Sequence, residues 1–283
     1  MLTFALPRDA EGPVTTALSL LHGAHSVGAG VFGFLTMREA CALRLVNHEC
    51  REAVAAARWR DEETLITGPS LAAWRACFPG ALAANVDGRA DLTDADFAHL
   101  AGVRALRMRG CTGITDAGLA HLAGIRALDM VYCFRITDAG LAHLAGIHTL
   151  NMSICTQITD AGLAHLAGIH TLHMAVCAGI TDAGLAHLAG IHTLDMGGCS
   201  RITDAGLAHL AGIHMLDMWG CTGITDAGLA HLAGIHTLDM SWCTRITDAG
   251  LAHLTGIHAL KMRNCAPASI AAARAWRLPV LIE

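Results

Sequence analysis

Apolar residues return along this chain with a period too long for one helix or one strand. With Ile191 as position 1, Ile191, Leu194 and Met196 fall at positions 1, 4 and 6. Cys199 falls at 9, Ile202 at 12, and Leu207 and Leu210 at 17 and 20, before the set restarts at Ile213. Positions 4 and 6 are two apart and share one face of a short strand. Positions 17 and 20 are three apart and share one side of a short helix. Thr203 stands where it can cap that helix, with Asp204 in the first turn facing the positive end of the helix dipole. Gly212 can end it in a left-handed turn. One unit therefore predicts strand, turn, short helix, turn.

The phrase Ile114-Thr115-Asp116-Ala117-Gly118-Leu119-Ala120-His121-Leu122 returns nearly letter for letter at Ile136, Ile158, Ile180, Ile202, Ile224 and Ile246. A looser copy starts at Leu92. Units this small cannot bury a core alone and must stack on their neighbours. The pattern predicts an α/β solenoid with a parallel sheet on its concave face and short helices on its convex face. At about 4.8 Å per strand, the full units make a sheet roughly 40 Å across. Residues 81–267 form this solenoid, as one degenerate and eight 22-residue units, with Val86 and Leu92 in register in the degenerate one. Residues 268–283 leave the pattern at Arg274, Trp276, Arg277 and Pro279 and predict a closing cap.

Residues 1–80 read as small and helical. Thr36-Met37-Arg38-Glu39 is a capping-box pattern that predicts one helix carrying Ala40, Leu43, Val46 and Val54. A second amphipathic piece runs from Ser70 to Phe78 and stops at Pro79-Gly80.

The order Ile191, Leu194, Met196, Cys199, Ile202-Thr203-Asp204, Gly206-Leu207, Leu210 resembles the cysteine-containing subtype of the leucine-rich repeat family. Residues 31–51, with Phe34-Leu35, Leu43, Val46 and Cys50-Arg51, resemble the second half of an F-box, a motif that often precedes repeats of this subtype. Its usual Leu-Pro start is out of place, since Leu6-Pro7 lies too far upstream. The resemblance implies that Phe34, Leu35, Leu43 and Val46 dock a Skp-type adaptor. The chain would then be the substrate-recognition subunit of a cullin-type ubiquitin ligase, monomeric outside its complex. The alternative is a free-standing binding module whose N-terminal helices merely cap the solenoid.

Composition narrows the classes. A formal charge of −5 gives no electrostatic case for nucleic acid. Eight of the eleven cysteines occupy position 9, which points to reduced structural thiols and a cytoplasmic or nuclear setting. No signal peptide is evident, and the uncharged stretch 12–37 is broken by glycine and histidine, which speaks against a membrane span. No P-loop, GxSxG or HExxH motif occurs, so neither catalysis nor a cofactor is expected. Histidines recur at positions 2 and 19; we read them as half-exposed copies of the motif, with no metal.

Because the copies are so alike, their differences carry information. They concentrate on sheet positions expected to be exposed. Position 5 contributes Arg107, Asp129, His173, Asp195, Asp217, Asp239 and Lys261. Position 7 contributes Arg109, Trp219 and Arg263, and position 8 contributes Tyr132 and Trp242. Aromatics beside charges on a constant frame predict a concave surface that holds a protein target, centred on the three aspartates.

Overall fold

The computed structural model describes residues 36–45, 48–68, 70–265, 271, 273 and 280–282. Phe34, Leu35, Val46, Arg274, Trp276, Arg277 and Pro279 lie outside the described residues.

Ten parallel strands follow one another in chain order in one sheet. They are β1 (Ala83–Asn85), β2 (Ala105–Arg107), β3 (Ala127–Asp129), β4 (Thr149–Asn151) and β5 (Thr171–His173). β6 (Thr193–Asp195), β7 (Met215–Asp217), β8 (Thr237–Asp239), β9 (Ala259–Lys261) and β10 (Val280–Ile282) complete it. The register never slips: Leu194 faces Leu216 and Leu216 faces Leu238. That leucine points inward, while its two strand neighbours look out on the other face. The degenerate unit supplies β1, which Leu65 extends by a further parallel bridge to Asn85.

From Asp116 onward each helical segment of the repeats is one α turn followed by one 3-10 turn, as at Asp204–Leu207 and Ala208–Leu210, whereas Asp96–Leu100 is 3-10 throughout. Gly212 ends the unit at φ 82°, a conformation glycine adopts without penalty. Positions 1, 4, 6, 9, 12, 17 and 20 are all buried in one continuous core.

Two hydrogen-bonded ladders tie one unit to the next. Each position-9 thiol donates across to the preceding unit, as Cys199 Sγ does to the Met174 carbonyl at 3.3 Å. Seven threonines at position 13 are clasped by the aspartate at position 14 of the unit before. Asp160 accepts from the Thr181 N–H at 2.7 Å and from its hydroxyl at 2.6 Å, while that hydroxyl accepts from Ala183 N–H at 3.3 Å. The aspartate therefore does more than sit in its own helix's first turn, the role its sequence position suggested.

The N-terminal region differs from expectation in one respect. Two helices, α1 (Met37–Leu43) and α2 (His48–Ala56), replace the single helix expected through Val54. The capping box itself is present, with Thr36 N–H donating to Glu39 Oε2 at 2.8 Å. Helix α3 (Leu71–Cys77) starts at its Ser70 cap. Met37, Ala40, Leu43 and Val54 join the same core as Val86 and Leu92.

Candidate functional site

The outward positions of the strands carry the variable residues, and the register sets them side by side. Arg107 faces Asp129, His173 faces Asp195, Asp195 faces Asp217, Asp217 faces Asp239, and Asp239 faces Lys261.

The two ends of this row are electrostatically occupied. Arg107 reaches Glu63 at 3.2 Å and Asp87 at 3.4 Å. Arg109 Nε donates to Asp129 at 2.6 Å. At the other end Lys261 lies 3.6 Å from Asp239, and His173 lies 3.6 Å from Asp195. Asp217 has no ion pair within 4.0 Å among the described residues. Burial, the backbone N–H of Trp219, and the flanking Asp239 and Asp195 act on it together, and burial is the largest influence. The net result pushes its carboxyl up to about 6. The acid left without a partner is thus Asp217 on β7, set between Asp195 and Asp239.

These aspartates also have a local job. Asp195, Asp217 and Asp239 each accept from the N–H two residues on, at 3.0, 3.1 and 3.0 Å. Asn151 does the same toward Ser153 at 3.1 Å, so an amide suffices for that turn. The negative charge is therefore surplus to the fold.

Apolar surface adjoins the acids. Trp219 is 39% exposed, and its indole lies over Gly197, where an added Cβ would collide with the ring. Met215, 40% exposed, was missed in the sequence reading. Its signal was there: position 3 is alanine or threonine in every other full unit. Trp242 stands one strand further on, 55% exposed. Arg263 is exposed beyond it. Tyr132 instead pairs edge-on with Phe134, ring centroids 6.0 Å apart, at the β3 end. The twelve residues chosen from the sequence thus divide into a group near β2 and β3, where Arg107, Arg109 and Asp129 are held in ion pairs, and a group from β5 to β9, where Asp217, Trp219, Trp242 and Arg263 have no ion pair among the described residues.

Position 8 holds a further signal. Its backbone is left-handed in every full unit, glycine in three of them. Tyr132, Ile154, Val176 and Trp242 adopt φ of 60–64° there, which is costly for bulky or β-branched side chains. Such strain concentrates where function requires a side chain. The position-9 thiols are unsuited to chemistry: burial pushes Cys155 and Cys199 up to about 11. Among the described residues no cluster of three histidine, cysteine or acidic side chains could hold a metal ion.

This geometry defines a leucine-rich repeat solenoid presenting a patterned sheet face. A family profile described as Leucine Rich repeat matches residues 235–254. Among solved structures, an internalin (inlF) from Listeria monocytogenes is similar at TM-score 0.57 and 19% identity, over 95% of this chain and 74% of that one. Internalin C2 of the same organism is similar at 0.51 and 24%, over 66% and 83%. TLR13, solved in complex with ssRNA13, is similar at 0.54 and 14% over 73% of this chain; the match covers only 33% of that receptor chain. No curated protein sequence matches the chain. Among the described residues no helix is long and apolar enough to cross a membrane.

Proposed function

We propose that the chain is a non-catalytic recognition scaffold that holds a basic protein segment on the sheet face across β6 to β8. The observation that carries this reading is the register of Asp195, Asp217 and Asp239, with Met215 and Trp219 exposed beside them. Three carboxylates on adjacent strands repel one another, and a bound lysine or arginine relieves that cost. The exposed thioether and indole supply the apolar contact that anchors an interface. Selection of displayed peptides on the intact protein tests it. Enriched peptides should pair lysine or arginine with an apolar residue and bind at least tenfold more weakly to Asp217→Asn and Trp219→Ala. Binders indifferent to both substitutions would overturn the assignment.

A second reading, as adaptor of a cullin-type ubiquitin ligase, draws support from the F-box resemblance of residues 31–51 and from Leu45, which is 82% exposed beyond α1. Against it stands Leu43, only 1% exposed in the solenoid core and closed to an adaptor. That burial favours helices that cap the first repeat. Calorimetry of the intact chain with a purified Skp-type adaptor separates the two: micromolar binding abolished by Phe34→Ala supports the ligase role, and no binding leaves the cap.

A further inference from the structure

The edge where the strands begin carries a row of arginines followed by histidines. Position 2 reads Arg104, Arg126, His148, His170, His192, His214, His236 and His258. The unbroken register lines these eight up along one edge. The six imidazoles stack on one another with centroids 4.5–4.6 Å apart and interplanar angles of 12–31°. At His148, His170, His192 and His236, Nδ1 lies 3.1–3.2 Å from the next threonine hydroxyl. The faces of the inner rings are covered and Nδ1 is engaged at those four, so the Nε2 edge is the open one. Five of the six rings are exposed rather than half-exposed as the sequence suggested; His214 alone is half-buried.

Beside Arg104 and Arg126 the edge opens into a cleft of about 760 Å³, which Arg58, Arg60, Arg75 and the single acid Glu62 also line. Arg75 is committed to the fold, donating to the carbonyls of His99, Ala81 and Ala101. Arg58, Arg60, Arg104 and Arg126 are exposed, and none has an acidic partner within 4.0 Å among the described residues. The histidine stretch is free of acid as well: residues 139–150, 161–172, 183–194, 205–216, 227–238 and 249–260 contain no aspartate or glutamate. The carboxylates of these units sit at position 14, where threonine clasps most of them, and at position 5 on the sheet face.

We infer that the arginine cleft and the imidazole row form one binding site for a flexible polyphosphate chain. Guanidinium groups suit phosphate oxygens in a two-point grip and would hold one end. The imidazoles extend the contact along the edge as Nε2–H donors, and more strongly once protonated. Covered ring faces leave no platform on which nucleobases could stack, which favours a bare phosphate chain over single-stranded nucleic acid.

Protonation of the row is opposed in the free protein. Loss of hydration within the stack, and then the charges of the rings on either side, lower the His192 and His236 values from the ordinary imidazole value. The other titratable and charged groups around the row are Arg126 at its first end, the position-19 histidines on the helical side, and the position-5 residues His173, Asp195, Asp217, Asp239 and Lys261 three places further along the strands. A polyanion offsets the repulsion between rings, so binding takes up protons.

Calorimetry of the intact protein with short inorganic polyphosphate tests this at about pH 7.5 and about pH 5.5, in two buffers of different ionisation heat. Binding should tighten about tenfold or more at the lower pH, with net proton uptake. The double charge reversal Arg104→Glu with Arg126→Glu should weaken it at both values. The triple His170→Asn, His192→Asn, His214→Asn should keep the binding at higher pH and lose most of the pH dependence. Asp217→Asn should keep both, which separates the row from the one carboxyl titrating nearby. No binding by the unmodified protein, unchanged binding after the arginine reversal, or undiminished pH dependence after the triple change would overturn the site. A single-stranded oligonucleotide of equal charge binding more tightly than polyphosphate would overturn the ligand class.

Discussion

Asp217 shows how one side chain can serve the fold and the surface at once. Its Oδ1 holds the turn after β7 through the Trp219 N–H, a task asparagine performs equally well at Asn151. Its charge is a liability. The folded value, about 6, lies above the ordinary carboxylate value, so the folded state holds the proton more tightly than the unfolded chain. The resulting penalty is absent below the unfolded value and fully present above about pH 6. Asp217→Asn should therefore stabilise the fold at neutral pH, by about 1 kcal/mol once solvent screening of a partly exposed group is allowed for, and raise the melting temperature. The gain should fade as pH falls toward 4, a trend that melting curves across pH will reveal. Position 8 follows the same logic. Val176 holds φ 60° with 41% of its surface exposed, whereas Asn264 in the equivalent place is a residue type suited to that backbone. Val176→Asn should stabilise by about 0.5–1 kcal/mol in chemical denaturation. A loss of stability would show that the valine packs better than its exposure indicates.

At the level of elements, the strand, the helical turn and the glycine stop were all legible, because each follows from apolar spacing of two or three and from residue types with known backbone preferences. The Asp–Thr clasp was not. Asp160 and Thr181 are 21 residues apart, and only stacking brings them together. The clue was the glycine at position 16. A Cβ at Gly184 would collide with Asp160 Oδ1 of the preceding unit, which explains a glycine in mid-helix where propensity disfavours it. Gly184→Ala and Asp160→Ala should each destabilise, the latter by about 2–3 kcal/mol through the unsatisfied Thr181 N–H. The double variant should lose less than the sum, because the clash vanishes with the carboxylate. The cysteine ladder makes a simpler prediction. Eight thiols are buried and three, Cys41, Cys50 and Cys77, are half-buried. An alkylating reagent at mildly alkaline pH should label at most those three in the native protein and all eleven after denaturation, which mass spectrometry can count.

For the whole molecule, one continuous core runs from α1 into the last described repeat, so the N-terminal helices and the solenoid share buried surface. The repeat period made that architecture readable, since a unit of this size has no stable alternative to stacking. The binding face was readable only in part. Sequence differences picked out Asp195, Asp217, Asp239, Trp219 and Trp242, but they could not show that Arg107, Arg109 and Asp129 are tied up in ion pairs. Nor could they show that Leu43 is sealed in the core, because helical periodicity does not say which partner a face meets. The central claim is that recognition occurs on the open half of the sheet face. Amide hydrogen exchange of the intact protein, with and without a selected basic peptide, tests it most directly. The account predicts new protection at residues 195–197, 217–219 and 239–242, with none along the His148–His258 edge or in α1 and α2. Protection confined to that edge or to those helices would contradict it.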